Sequence, residues 1–192
     1  MIAIIKYNAG NISSVQNALE RLGYQSILTD DPEQILSAEK VIFPGVGEAG
    51  STMKYLRQTG LDEVIRSIKN PMLGICLGLQ LMCQHSEEGD TQCLGIFDEE
   101  VRKFTATKKV PHMGWNSFTQ IEGPLFEGIQ PEQDMYYVHS YFAEVGKDTI
   151  GTCEYIHPFS AAMHKDNFYA TQFHPEKSAD VGEQLLRNFL NL

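Results

Sequence analysis

The chain has 192 residues, of which 42% are hydrophobic and 21% charged, and its formal net charge is −10. That length can bury a full core, and the composition is that of an ordinary globular protein rather than a disordered or fibrous one. The acidic balance argues against nucleic acid or an anionic membrane surface as partner. No apolar run approaches the roughly 20 residues needed to cross a bilayer, and "MIAIIKYNAG" lacks the basic opening of a secretory signal. The four cysteines, Cys76, Cys83, Cys93 and Cys153, form no C-x-x-C pair, and no metal-ligand spacing occurs. Free thiols in a reducing cytoplasm, no bound metal and no cofactor are the expectation.

One domain over 1–192 is expected. In chain order, "MIAIIKY" (1–7) reads as a buried strand. "NISSVQNALERLG" (11–23) puts Ile12, Val15, Leu19 and Leu22 on one helical face, with Asn11 placed to cap its start and Gly23 to end it. "YQSILTD" (24–30), "KVIFPG" (40–45) and "PMLGIC" (71–76) read as further strands, and "STMKYLRQTGLDEVIRSIKN" (51–70) as one or two helices. "LGLQLMCQHSEE" (77–88) reads as the helix after the strand that carries Cys76. Such alternation predicts an α/β fold with an open, mostly parallel sheet flanked by helices. From about residue 94 short β-rich segments take over: "GIFDEEVRKF", "WNSFTQI", "MYYVHSYFAEV", "GTCEYI", "SAAMHK" and "FYATQFH". They read as antiparallel additions to the central sheet. The chain closes with a helix over 178–192, where Val181, Leu185, Phe189 and Leu192 form one stripe.

"GICLG" (74–78) sets a cysteine between two glycines where a strand meets a helix. A residue on that tight turn needs strained backbone angles, and small neighbours make the turn sterically possible. This is the logic of a nucleophile elbow. The helix N-terminus behind Cys76 favours the thiolate, and the Leu77 N–H points where an oxyanion forms. The same stretch also fits a small buried hydrophobe, the usual fate of a free cysteine. Cys83, falling inside the next helix, and Cys93 and Cys153, which lack the glycine frame, read as structural. A nucleophile needs a base. "TQFHPEKS" (171–178) offers His174 and Glu176 at i and i+2, which share a face along extended chain. Glu176 then orients His174 while His174 faces Cys76. The remaining histidines, His85, His112, His139, His157 and His164, show no comparable partner in the sequence.

Elbow cysteine and His-Pro-Glu together resemble the class I glutamine amidotransferases. The likeness is closer to one family among them, the glutaminase subunits of imidazole glycerol phosphate synthase, and runs the whole chain. It is carried by "YNAGNISSVQNAL" (7–19), "FPGVG" (43–47), "GICLGLQLM" (74–82), "SEEG" (86–89), "PHMGWN" (111–116), "YVHSYF" (137–142) and "QFHPEKS" (172–178). "GxCxGxQ" and "HPE" are shared by the class, whereas "PHMGWN" with "HPEKS" is specific to this family. One departure is "GEAG" (47–50), where the family more often has an aromatic soon after the second glycine.

The resemblance implies a flavodoxin-like sheet and assigns roles. Cys76 attacks the glutamine side-chain amide, His174 moves the protons and Glu176 orients His174. Beside the Leu77 N–H, the loop of Gly45, Val46 and Gly47 supplies a second oxyanion N–H after a peptide flip. Gln80 and Glu88 contact the amino-acid end of glutamine, and His139, Ser140 and Tyr141 close over it. Trp115, Asn116, Tyr136 and Lys177 face a (β/α)8-barrel synthase subunit in a heterodimer. "PHMGWN" reads as a loop, with Trp115 as interface anchor. The alternatives are a paralogous glutaminase feeding a surface-sugar amidotransferase, anthranilate or pyridoxal phosphate synthesis, a stand-alone γ-glutamyl hydrolase, and a non-catalytic binding module.

Overall fold

The computed structural model of the protein describes residues 1–8 and 12–192, so the proposed cap Asn11 lies outside the described residues. The first half alternates strand and helix: β1 (Ile2–Ile5), α1 (Ser13–Arg21), β2 (Ser26–Thr29), α2 (Pro32–Ser37), β3 (Lys40–Phe43), α3 (Ala49–Thr59), α4 (Leu61–Ser67), β4 (Met72–Ile75) and α5 (Leu77–Met82). The second half is mostly strand: β5 (His85–Ser86), β6 (Thr91–Gln92), β7 (Glu100–Lys103), β8 (His112–Asn116), β9 (Gln120–Ile121), β10 (Met135–His139), β11 (Tyr141–Ala143), β12 (Thr149–Tyr155), β13 (His157–Lys165) and β14 (Phe168–Thr171), closed by α6 (Ala179–Leu190).

The apolar runs of β1, β3 and β4 are buried along their length apart from Lys40 at the start of β3, as expected for strands covered on both faces. They sit in an eight-stranded sheet of order β2-β1-β3-β4-β14-β13-β12-β9. β2, β1, β3, β4 and β14 run parallel, the flavodoxin-like order with β14 as its fifth strand. One face packs α1 and α6 through Val15, Leu19, Leu185 and Phe189. The other packs α2 to α5 through Ile35, Met53, Ile65 and Leu79. Gly60, at φ +73°, splits the segment after β3 into two helices, since a left-handed residue ends one and begins the next.

The structure corrects several expectations. α5 stops at Met82 rather than running to residue 88, and Cys83 is its C-cap. The carbonyls of Leu81, Met82 and Cys83 are taken by the N–H groups of Leu94, Ile96, Phe97 and Gly95, which leaves the helix nothing to gain by continuing. α2 went unread, although Asp31 caps the Glu33 N–H at 2.9 Å with a proline following it. The late strands do not all extend the central sheet. β14 joins it in parallel; β13, β12 and β9 join antiparallel. β8 and β10 form a separate two-stranded ribbon, and β11, β7, β5 and β6 form a four-stranded sheet. Leu192 lies beyond α6 and is exposed rather than on its buried stripe.

Candidate active site

Cys76 sits between the end of β4 and the start of α5 with φ +55° and ψ −107°, a conformation that L residues avoid. The glycines around it are there for close backbone approach. A β-carbon on Gly78 would collide with the Phe43 carbonyl, and one on Gly74 would lie 2.5 Å from the Met82 sulfur. One on Gly45 would collide with the Gly78 amide, so the loop after β3 lies directly against the elbow. The Cys76 N–H donates to the Thr171 carbonyl at 2.7 Å, which fixes the turn to β14.

His174 lies beyond the end of β14, and Pro175–Lys177 form a single 3-10 turn. The chain is therefore not extended through Glu176, as the i, i+2 reading assumed. The turn nonetheless brings His174 Nδ1 to 2.8 Å from Glu176 Oε1, and both side chains are buried. Burial pulls the His174 pKa down, but its hydrogen bonds to Cys76 and Glu176 and their charges outweigh that and raise it to about 10. A raised value favours a proton on His174 at neutral pH, as delivery to a leaving amine would require. Glu176 keeps its other oxygen buried and unpartnered. In contrast, burial pushes the thiols of Cys83, Cys93 and Cys153 upward, which suits inert core cysteines.

A cavity of about 360 Å³ opens at these residues, within the range usual for small-ligand sites. Gly45, Val46, Gly47, Cys76, Leu77 and His174 line it, as do Gln80, Glu88, His139, Ser140, Tyr141 and Lys177. Residues scattered from position 45 to position 177 in the chain thus converge on one space, as the motifs implied. Gln80 is not a solvated helix residue: it is buried, and its amide nitrogen donates to Tyr141 O at 2.9 Å and Gln172 Oε1 at 3.0 Å. Glu88 accepts the Ala49 N–H at 2.8 Å, and burial raises its pKa.

Trp115 and Asn116 belong to strand β8, not to a loop. β8 pairs antiparallel with β10, with Trp115 opposite Tyr136 and Met113 opposite Val138. Met113 and Trp115 are 59% and 54% exposed, and the Trp115 and Tyr136 rings meet edge to face at 5.9 Å. Lys177 is exposed, lines the cavity and has no ion-pair partner among the described residues. β10 also touches His174 and Cys76 from behind. The Tyr136 carbonyl accepts the His174 N–H at 2.9 Å, and the Tyr136 N–H donates to Ser178 Oγ at 2.9 Å. The Val138 carbonyl lies 3.8 Å from Cys76 Sγ.

Sequence reasoning missed His112, which has a partner after all. Its Nδ1 lies 2.9 Å from His139 Nε2, and its Nε2 lies 3.3 Å from Asn116 Nδ2. His139 Nδ1 lies 2.7 Å from the Tyr141 carbonyl. Burial lowers both pKa values, to about 4 for His112 and about 3 for His139. Both rings are then neutral, and the partners fix the tautomers, with the proton on Nδ1 of each. Both His139 nitrogens are occupied, so this residue shapes the cavity rather than offering it a free ring atom. The directly opposed register of His112 and His139 across the ribbon is invisible until the strands are paired.

A cysteine on such an elbow, beside a buried His–Glu pair on an open α/β sheet, is the arrangement that nucleophilic catalysis by cysteine requires. The family described as Glutamine amidotransferase class-I matches residues 3–192, and the chain belongs to it. Over 194 residues the chain is 58% identical to imidazole glycerol phosphate synthase subunit HisH of Bacteroides thetaiotaomicron, covering 100% of this chain and 99% of that protein. It is 47% identical over 199 residues to the protein of the same name from Vibrio cholerae, covering 100% and 98%. Among solved structures, one described as a glutamine amidotransferase is similar in fold, with a TM-score of 0.75 at 18% identity over 100% of this chain and 98% of that one. A glutamine amidotransferase from Thermotoga maritima has a TM-score of 0.66 at 16% identity over 99% and 82%.

Proposed function

We propose that this chain, as one amidotransferase domain over 1–192, is the glutaminase subunit of imidazole glycerol phosphate synthase and acts in histidine biosynthesis in the cytoplasm. The observation that carries the catalytic reading is the strained elbow cysteine that lines one cavity with His174, which buried Glu176 backs at 2.8 Å. Full-length identity to subunits named for that synthase supports the pathway. Four free, buried cysteines fit a reducing compartment.

Cys76 Sγ, its proton having passed to His174, attacks the side-chain amide carbon of glutamine, and the oxyanion is met by the Leu77 N–H and the Gly45–Gly47 loop. His174 gives its proton to the amide nitrogen, the C–N bond breaks, and ammonia leaves a γ-glutamyl thioester. His174 then takes a proton from water as the water oxygen attacks the thioester carbon. Glutamate departs and the thiol is restored. Glu176 holds the imidazole in the right tautomer throughout. Glu88 lies in the same cavity as a negative group for the α-ammonium, and Gln80, His139, Ser140 and Tyr141 shape the remaining wall.

The ribbon face with Trp115, Asn116 and Tyr136, together with Lys177, docks on a (β/α)8-barrel synthase subunit in a heterodimer. Ammonia passes into that barrel and cleaves its phosphorylated acceptor into imidazole glycerol phosphate and an aminoimidazole carboxamide ribotide. Excluding water along the route keeps ammonia unprotonated and nucleophilic. The test is glutamine hydrolysis by this chain alone, with the partner, and with partner plus acceptor; activity is expected to rise in that order. Full activity alone, unchanged by the partner, would point to a stand-alone γ-glutamyl hydrolase.

A further inference from the structure

The register that pairs Thr171 of β14 with Ile75 of β4, carried one step further, sets Gln172 level with Cys76. Gln172 is completely buried and does not line the cavity. Its backbone N–H goes to the Ala161 carbonyl of β13 at 2.8 Å, so its place beside the elbow is fixed by the sheet. The side-chain amide then reaches the nucleophile. Nε2 donates to Cys76 Sγ at 3.7 Å, within the longer reach that a large sulfur acceptor allows. Gln80 decides which end of that amide faces the sulfur. It stands one helical turn after Cys76, on the same face of α5. The Tyr141 carbonyl can only accept, so Gln80 presents its nitrogen there, at 2.9 Å. The same nitrogen offers its second hydrogen to Gln172 Oε1 at 3.0 Å, which leaves the Gln172 nitrogen for the sulfur. Turning either amide over would bring two oxygens or two N–H groups face to face. The Cys76 thiol itself donates to the Val138 carbonyl at 3.8 Å. That contact ends when the sulfur loses its proton, whereas the Gln172 N–H gains, because a hydrogen bond to a charged acceptor is shorter and stronger.

We propose that Gln172 is a further catalytic residue: its amide N–H holds the Cys76 sulfur as the anion, in the rotamer that attack requires, with Gln80 as the residue that positions it. This rests on the reading of Cys76 as nucleophile given above. Gln172 transfers no proton and breaks no bond. The thiol proton goes to His174, and the amide keeps both of its own hydrogens. Its contribution is selective, since an N–H donor favours the charged form of its acceptor over the neutral one. In a site this deeply buried, such a bond is electrostatically stronger than it would be in water.

The experiment compares wild type with Gln172→Met, which keeps the length of the side chain and removes the donor. Glutamine hydrolysis is followed from acid to neutral pH with the synthase partner and acceptor present. kcat is expected to fall by about tenfold to a hundredfold, the size of one hydrogen bond to a charged group. KM should change little, because Gln172 does not line the cavity. The acid limb of the pH–rate profile should move to higher pH, because the anion has lost its donor. The titratable groups that share the cavity with Cys76 are His174, His139, Tyr141, Glu88 and Lys177, and Tyr7 senses its charge from outside. All stay in place in the variant, so a moved limb belongs to the sulfur. A merely structural defect would lower the amount of active enzyme without moving that limb. An unmoved limb therefore overturns the proposal, whether or not kcat falls. Gln80→Met should move the limb in the same direction, and the double variant no further than Gln172→Met alone; additive shifts would overturn the role given to Gln80. Should Gln172→Met not fold, the wild type carries the test through the Gln172 side-chain amide signal. That signal must shift when a glutamine-analogue electrophile alkylates Cys76, and an unmoved signal overturns the contact. Cys76→Ala, assayed beside these, separates the two layers. Its loss of hydrolysis upholds the reading of Cys76 whichever way Gln172→Met falls, and persisting hydrolysis overturns both.

Discussion

The two walls of the catalytic cleft are built by different means. On the elbow side, backbone meets backbone: Gly45 and Gly78 leave no room for a β-carbon, and Gly74 is nearly as tight. The nearest contacts at Gly45 and Gly78 are backbone and no change of rotamer relaxes them, whereas that at Gly74 is the Met82 sulfur. On the opposite side, the β8–β10 ribbon belongs to neither larger sheet. Single hydrogen bonds from Tyr136 and Val138 tie it to His174, Ser178 and Cys76. Its inner side is core: Met135 and Tyr137 are fully buried, and the Tyr137 ring packs on Phe159 and Phe173. Its outer side leaves Met113 and Trp115 exposed, so the large exposed hydrophobic side chains near the cleft lie on the ribbon and not on the elbow.

The largest test of the rigid wall is chemical. Cys76→Ser should keep the fold, because the volumes are close, and should lower glutamine hydrolysis by about four orders of magnitude or more, as loss of a triad nucleophile does. A glutamine-analogue electrophile should label Cys76 and none of the other three cysteines. His174→Ala should cost at least the roughly 10²–10⁴ ascribed to general acid–base catalysis, and Glu176→Gln should cost less, since Glu176 transfers no proton to substrate. Steady-state rates for all three decide the matter. If Glu176→Gln proved as inert as Cys76→Ser, its role would be more than orientation.

The same contrast explains what could be read from the chain. The parallel half was legible because its signals are local: apolar runs such as "MIAIIKY", a stop at Gly23, and the Gly–Cys–Gly frame. His174 and Glu176 were found although the extended-chain premise was wrong, because Pro175 turns the chain so that the two side chains still meet. The length of α5 misled, because the amides that end it come from residues 94–97 and no local residue announces them. Which late strands join which sheet was illegible, since pairing between segments is a tertiary fact. His112 and His139 stand 27 positions apart and become partners only through the ribbon's register. Tyr7 likewise sits in a motif that matches the family, but the acceptor of its hydroxyl, the Pro44 carbonyl, lies 37 positions later.

The ribbon face sharpens the comparison from outside. Trp115 is exposed, held edge to face by Tyr136, and adjacent to Met113 on one side of β8. Large aromatics of this kind carry a disproportionate share of binding energy at interfaces. Trp115→Ala should weaken association with the synthase subunit by roughly 2 kcal/mol, about 30-fold in Kd. The rate of the fully assembled enzyme should change far less. Titration calorimetry measures the first quantity and saturating-partner kinetics the second. An unchanged Kd would move the docking surface elsewhere.

A further effect falls within the ribbon and concerns pH. His112 and His139 are held neutral by burial, at about 4 and about 3, against about 6.5 in an unfolded chain. Below that reference value the unfolded chain binds more protons than the folded one, so stability falls as pH falls. The contribution is complete above about pH 6.5 and is lost progressively toward the folded values, at up to about 2 kcal/mol per histidine between pH 6.5 and pH 5. His174 does not mask this. Its pKa is raised, so its contribution is whole below about 6.5 and declines only as pH climbs toward about 10. Glu88, raised by burial, opposes the trend only near the carboxylate range. Urea unfolding at pH 7 and pH 5 should therefore show a marked acid loss in the wild type. His112→Gln, whose amide can still donate toward His139, should show a shallower one. Equal slopes in the two proteins would mean that the ribbon's histidine pair does not set the acid limit and that its neutral wiring is not what seats β10 behind His174.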